Sequence, residues 1–241
     1  MLRRARGQAI FGLAFLLGAA GVASAGSFAV NPVRATLSAK QTVGSLVVRN
    51  SGTEATVIQL EVTSWVQEDG KDVYTPTKEI LATPPIFTIP AGGSQVVRVG
   101  LRRSADAQRE LTYRLFLQEV PPAKTDVQGL RVVLRIGVPV FVIPPVRATP
   151  VLRWQASRTP EGTLKLSLRN DGNAHIQVAK SKLMLATTEQ PLMTQEVAAY
   201  VLPGQSRDWI YKLSPLPAAG APLRVAAQTD AGDIQAEVVV E

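Results

Sequence analysis

Every second residue from position 130 to position 142 is apolar, an uninterrupted alternation that an extended strand turns into one continuous apolar face. The intervening positions include Arg131, Arg135 and Pro139, which suit a strand near the edge of a sheet because proline lacks the N–H that a central strand donates. A long apolar edge strand invites aggregation. Its presence therefore suggests a partner whose strand pairs with it. The alternative is an ordinary core strand that is buried within its own domain.

Strand and turn patterns fill nearly all of the chain after residue 26, without a helical periodicity longer than one or two turns. A Pro-rich join at 144–149 divides the strands into two sets. We therefore predict an all-β protein with two immunoglobulin-like sandwich domains, residues 26–143 and 150–241. The predicted strands are residues 28–37, 42–50, 56–66, a weak strand near Tyr74, 93–101, 111–120 and 130–142, then 151–157, 164–170, 176–185, 200–201, 207–213, 223–229 and 234–239.

Residues 1–25 are predicted to be a cleaved secretory signal peptide. Three arginines precede an apolar run at 10–22, and the small residues Ala23, Ser24 and Ala25 then supply a cleavage site. The run is too short and too rich in glycine for a good membrane anchor, and no later run approaches the ~20 apolar residues of a membrane-spanning helix. We therefore expect export of the mature chain without membrane insertion.

Composition argues against a nucleic-acid-binding protein and against a fold stabilised by disulfides. The formal net charge is +7, but there is no block of like charges and no aromatic interleaving, so nucleic acid is not expected as a partner. The chain has no cysteine. An exported chain without disulfides must obtain its stability from cores large enough to stand alone.

One turn pattern occurs in both predicted domains. Asn50-Ser51-Gly52 and Asn170-Asp171-Gly172 each follow a strand, and Asn, Asp and Gly tolerate the left-handed backbone of a tight turn. A Pro-Gly turn comes later in each domain, at 90–93 and 203–204. The matched order favours a duplicated architecture, although such turns occur in any sandwich.

Eight segments together resemble the periplasmic chaperones of chaperone–usher pilus assembly. The first domain contributes NPVRATL (31–37), VVRNSG (47–52), LATPPIFTIPAGGSQVVRVGLR (81–102), TYRLFLQEVPP (112–122) and LRVVLRIGVPVFVIPP (130–145). The second domain carries the fainter matches LRNDGN (168–173), LPGQS (202–206) and QTDAGD (228–233).

The resemblance implies a boomerang of two immunoglobulin-like domains and a specific activity. Such a chaperone lends the last strand of its first domain to an incomplete pilus subunit, until an outer-membrane usher exchanges it for the next subunit's extension. The implied partners are pilus subunits, the usher and, for the free protein, a second copy in a self-capping homodimer. The donated residues correspond to Leu130, Val132, Leu134 and Ile136.

The resemblance also implies a pair of basic residues that hold the subunit's C-terminal carboxylate. Arg34 matches the first of them, and a guanidinium can form a two-point fork with a carboxylate. The second is normally a lysine, but Pro139 occupies its position. Three other arginines are candidates for the second anchor, namely Arg135, Arg114 and Arg98; alternatively, Arg34 acts with backbone N–H groups.

An interdomain ion triad recurs in many relatives. Glu110 and Asp230 match its acids, whereas Ile143 replaces its arginine, so Arg147 in the linker is the candidate base. The alternative is that Glu110 and Asp230 are separate surface acids. The short segment 122–130 and the absence of cysteine favour the short-loop or archaic branch of these chaperones.

No catalytic, cofactor or metal site is predicted. His175 is the single histidine and follows a turn, and the chain lacks a P-loop, a dinucleotide-binding glycine pattern and a nucleophile elbow. The alternative function is a structural or adhesive cell-surface β-sandwich protein, such as a fimbrial component. A pilin, however, should lack its seventh strand and carry a free N-terminal extension, which this sequence does not suggest.

Overall fold

Two β-sandwiches make up the computed structural model, which describes residues 28–121 and 132–241. The predicted all-β fold with two sandwich domains is confirmed. The first domain contains β1 (Phe28–Asn31), β2 (Ala35–Ser38), β3 (Val43–Asn50), β4 (Thr56–Glu68), β5 (Lys71–Pro76), β6 (Ile80–Thr83), β7 (Ile86–Ile89), β8 (Ser94–Leu101), β9 (Leu111–Val120) and β10 (Arg135–Ile143). The second contains β11 (Leu152–Arg158), β12 (Leu164–Asn170), β13 (Ile176–Leu185), β14 (Pro191–Val201), β15 (Ser206–Tyr211), β16 (Pro222–Thr229) and β17 (Gly232–Val239). In the described residues no helix is long and apolar enough to cross a bilayer.

The sheets of the first domain have the orders β1-β3-β8-β6 and β2-β10-β9-β4-β5, with β7 beside the beginning of β4. The strand predicted at 28–37 is two strands, one in each sheet. Pro32 has no N–H to continue the first ladder, so the chain leaves that sheet after Asn31 and enters the other at Ala35. This change of sheet leaves Arg34 at the junction between them.

Strand β10 is paired on both sides only near its end. It is antiparallel to β9 over residues 135–142, but parallel to β2 only over residues 140–143. Its edge from Arg135 to Pro139 therefore has no neighbouring strand among the described residues. The regular strand begins at Arg135, so the predicted strand 130–142 is wrong for residues 132–134, and its first two residues lie outside the described part of the chain.

The second domain has sheets β11-β12-β15 and β14-β13-β16-β17 and repeats the turn arrangement of the first. Asn50 and Asn170 are fully buried, and each side-chain oxygen accepts the N–H of the glycine two residues on. Their amide groups donate across the sandwich, to the carbonyl oxygens of Ile89 and Val201 respectively. The two predicted turns of each domain are thus tied together by one buried asparagine.

A small apolar cluster joins the two domains. Trp65 and Phe141 of the first domain pack with Leu202 of the second, all nearly inaccessible to water. Gln67 fixes the orientation, because its side-chain oxygen accepts the Leu202 N–H at 3.0 Å and its amide donates to the Tyr200 carbonyl at 2.9 Å. These contacts hold the two domains together and fix the walls of the cleft between them.

Candidate functional site

A cavity of about 470 Å³ lies where β9 and β10 of the first domain face β13–β16 of the second. Gly137 and Pro139 form part of its wall, so it lies at the end of the open edge of β10. Its charged lining residues come from both domains. They are Arg34, Asp72, Arg114, Arg207 and Asp230.

Arg34 reaches this cavity from the junction between β1 and β2. Its Nη1 atom lies 2.7 Å from Oδ2 of Asp230, and 41% of its side chain remains exposed. A guanidinium has five N–H groups, so this single contact leaves donors for another acceptor.

Arg114, one of the three candidates for the second anchor, also lines this cavity. It lies directly opposite Pro139 in the β9–β10 register, and its guanidinium carbon is 3.9 Å from the centre of the Trp65 ring. Its Nη1 atom makes a long contact of 3.4 Å with the Gly137 carbonyl, and its buried Nε atom has no partner. Within the described residues Arg114 is paired with no carboxylate.

The other two candidates for a second anchor lie elsewhere. Arg135 pairs with Glu61 at 2.8 Å and stacks on the Phe116 ring at 4.0 Å. Arg98 is exposed on β8, in the other sheet of the first domain. Neither side chain lines the cavity.

His175, rather than Arg147, connects the two interdomain acids. Its Nδ1 atom is 2.7 Å from Glu110 and its Nε2 atom is 3.5 Å from Asp230. The ring stacks on Phe141 with centroids 3.6 Å apart. Arg147 is exposed, and its carbonyl oxygen accepts a hydrogen bond from the side-chain amide of Asn173 in the second domain. The expected role of Arg147 is thus not supported, because an imidazole already fills the space between the acids.

The charges of this network support one another. Burial opposes ionisation of Asp230, but hydrogen bonds from His175, the Gln177 N–H and Arg34 outweigh it and lower the pKa to about 2. Burial likewise disfavours charged His175, yet its hydrogen bonds to Asp230 and Glu110 prevail and raise its pKa. Only a protonated imidazole donates from both nitrogens. Negative and positive charges therefore alternate along the network, in the order Glu110, His175, Asp230 and Arg34.

The predicted donor residues lie just before and within β10. Val132 is 47% exposed, whereas Leu134 and Ile136 are partly buried and pack against the core of the first domain. Further along the same face, Val138 is buried in that core. Leu130 lies outside the described residues. In the described part of the chain, no three His, Cys, Asp or Glu side chains are grouped to hold a metal ion.

Solved structures of similar fold include pilus chaperones. The CsuC–CsuE chaperone–tip adhesion subunit complex of Acinetobacter baumannii matches with 20% identity and a TM-score of 0.67, covering 89% of this chain and 99% of that one. The E. coli chaperone DraB matches with 22% identity and a TM-score of 0.60, covering 90% and 98%. The Salmonella enterica SafA pilin–SafB chaperone complex matches with 18% identity and a TM-score of 0.61, covering 90% and 97%.

At these identities the structural matches show the shared fold, and the sequence comparisons address the family. A search of curated protein sequences gives no match to the chain. A sequence profile described as "Pili and flagellar-assembly chaperone, PapD N-terminal domain" matches residues 27–147, which is half of the chain. The protein therefore belongs to the PapD-like family of pilus-assembly chaperones, whose members are not enzymes.

Proposed function

We propose that this protein is a periplasmic chaperone that binds pilus subunits by donor-strand complementation and passes them to an outer-membrane usher without ATP. The observation that carries the proposal is the open edge of β10, which ends in a cavity rich in arginine. An added strand would satisfy the unpaired N–H and C=O groups of this edge.

We propose that the added strand runs parallel to β10, as β2 does. Because β2 runs parallel to β10 and begins at Ala35, a strand placed parallel on the open edge would point its C-terminus towards β2. The residue that precedes β2 is Arg34. Parallel pairing therefore brings the terminal carboxylate of a subunit to the cavity.

Charge balance in the cavity favours a single bound carboxylate. Three arginines face two aspartates, and Arg114 is the arginine without a carboxylate partner in the described structure. We propose that Arg114 is the second anchor and that it forms a charge-assisted site together with Arg34. Its stacking on Trp65 holds the guanidinium in place before the subunit arrives.

Affinity also requires apolar burial. Val132, Leu134 and Ile136 retain accessible surface, and each would enter the groove of a subunit that lacks a strand. Full burial of such a side chain contributes roughly 1.5–3 kcal/mol before entropic losses. Leu130 would be a fourth donor residue.

Co-expression with a candidate pilin from the same organism tests the proposal. The unmodified chain should yield a stable one-to-one periplasmic complex. Arg34→Ala and Arg114→Ala should each lower the yield of complex at least about tenfold, because a buried charge pair loses one member. Arg98→Ala is the matched control, since this arginine is exposed on the other sheet.

Circular dichroism of each free variant separates loss of binding from loss of folding. Failure of the unmodified chain to form a complex would contradict donor-strand capture. Full retention of pilin by a folded Arg114→Ala variant would instead remove Arg114 from the anchor.

A further inference from the structure

The guanidinium of Arg34 already holds a carboxylate in the free protein. Asp230, on the turn between β16 and β17, places Oδ2 at 2.7 Å from the Arg34 Nη1 atom. These residues are 196 positions apart and belong to different domains. The incoming carboxylate of a subunit would therefore meet an arginine whose charge is partly neutralised.

Asp230 does not depend on Arg34 alone. Its Oδ1 atom accepts the Gln177 N–H at 2.9 Å, and its Oδ2 atom is also 3.5 Å from Nε2 of His175. A carboxylate that loses one partner is costly only if it is left without others. If Arg34 turned towards a new ligand, Asp230 would keep the Gln177 N–H and His175.

We propose that Asp230 substitutes for the subunit's terminal carboxylate in the free chaperone. Asp230 positions Arg34 there, and the carboxylate of the subunit replaces it as the partner of Arg34 during capture. The proposal rests on the proposed function and deepens it. Arg114, which has no carboxylate partner among the described residues, receives the subunit first, and Arg34 then transfers from Asp230. The same competition returns Arg34 to Asp230 when the subunit leaves.

The two carboxylates compete for one cation, so removing the internal one should strengthen binding. Asp230→Asn removes the charge but retains an oxygen that can accept the Gln177 N–H. Its affinity for a peptide copying the last strand of the pilin, with a free C-terminal carboxylate, should rise about three- to tenfold. Isothermal titration calorimetry measures this directly.

Asp233→Asn is the matched control, because it removes the same charge from the same hairpin but lies outside the cleft. Its affinity for the peptide should equal that of the unmodified chain. An Asp230→Asn variant that binds no better than the control, or binds less well, would overturn the proposal.

A measurement on the unmodified protein avoids any effect of the substitution on folding. Carboxyl ¹³C NMR should show the pKa of Asp230 rising when the peptide binds, because the carboxylate loses Arg34. An unchanged pKa would mean that Arg34 stays on Asp230, and it would refute the exchange.

A C-terminally amidated form of the peptide separates this inference from the proposed function. Equal binding of the acid and amide forms by the unmodified chain would refute the carboxylate anchor itself, and with it the exchange. Preference for the acid form, together with no gain in Asp230→Asn, would refute only the exchange.

Discussion

His175 is the residue on which the electrostatics between the domains converge. It lies between Glu110 and Asp230, stacks on Phe141 and has only 12% of its side chain exposed. A protonated ring satisfies both carboxylates, whereas a neutral ring can donate to only one of them. The protonation state of this side chain therefore affects how strongly the domains adhere.

This arrangement predicts a pH-dependent free energy of unfolding. The pKa of His175 is higher in the folded chain than in the unfolded chain, so its contribution is complete below the unfolded pKa of about 6.5 and is lost as the pH rises through the folded pKa. Each unit by which the pKa is raised corresponds to about 1.4 kcal/mol. The free energy of unfolding, measured by urea denaturation, should therefore fall as the pH rises from about 5 to about 9.

His175→Gln should remove this decline, because the chain contains no other histidine. The same slope in the variant would show that another group is responsible. On the acid side, the pKa of Asp230 lies below its usual value, so the contribution of Asp230 is present above about pH 4 and is lost as the pH falls through about 2.

The two halves of strand β10 have different roles: one is part of the core of its own domain, and the other has an edge that can pair with another chain. Its end is buried between β2 and β9 and supplies Val140 and Val142 to the core of the first domain. Its beginning pairs with β9 alone and leaves apolar side chains partly accessible. One strand can thus anchor itself in its own domain while it offers an edge to another chain.

The alternation before β10 provides a matched pair of substitutions. Val132→Glu should block formation of the pilin complex, because the donated face would carry an unpaired charge into an apolar groove. Val133→Glu introduces the same charge on the opposite face, and both valines are exposed in the free protein. Size-exclusion chromatography after co-expression should recover the complex with Val133→Glu only.

Recovery of the complex with both variants would contradict the donor-strand assignment. Loss of the complex with both would show that this segment tolerates no charge on either face. That result would contradict the prediction that only Val132 lies on the donated face.

The sequence predicted strand boundaries best where a turn signal closes both ends of the strand. The predicted boundaries of β9, β12 and β13 agree with the structure, and each of these strands lies between clear turn signals, although the pairing of β13 is irregular between Val178 and Lys180. Two short strands, β6 and β7, were not predicted, since four residues between prolines carry too little pattern. The division of 28–37 into β1 and β2 depends on which sheet each half joins, and local alternation does not encode that choice.

The two domains form one binding unit because the site takes groups from each of them. Gln67 and the Trp65 cluster join the sandwiches, and Arg34 meets Asp230 across the cleft. Arg34 was predictable as a candidate anchor because it lies within a recognisable motif. The bridging role of His175 was not predictable from the sequence. Its two acidic partners, Glu110 and Asp230, are distant in sequence, and only the packing of the domains brings them together.

Hydrogen–deuterium exchange of the purified chaperone–pilin complex tests most directly whether β10 donates its edge. The account predicts that amides between Val132 and Pro139 exchange more slowly in the complex than in the free chaperone, because a pilin strand now covers this edge. Amides of β8, in the other sheet, should exchange at unchanged rates. Protection confined to other surfaces, with the beginning of β10 unchanged, would contradict donor-strand complementation by this chain.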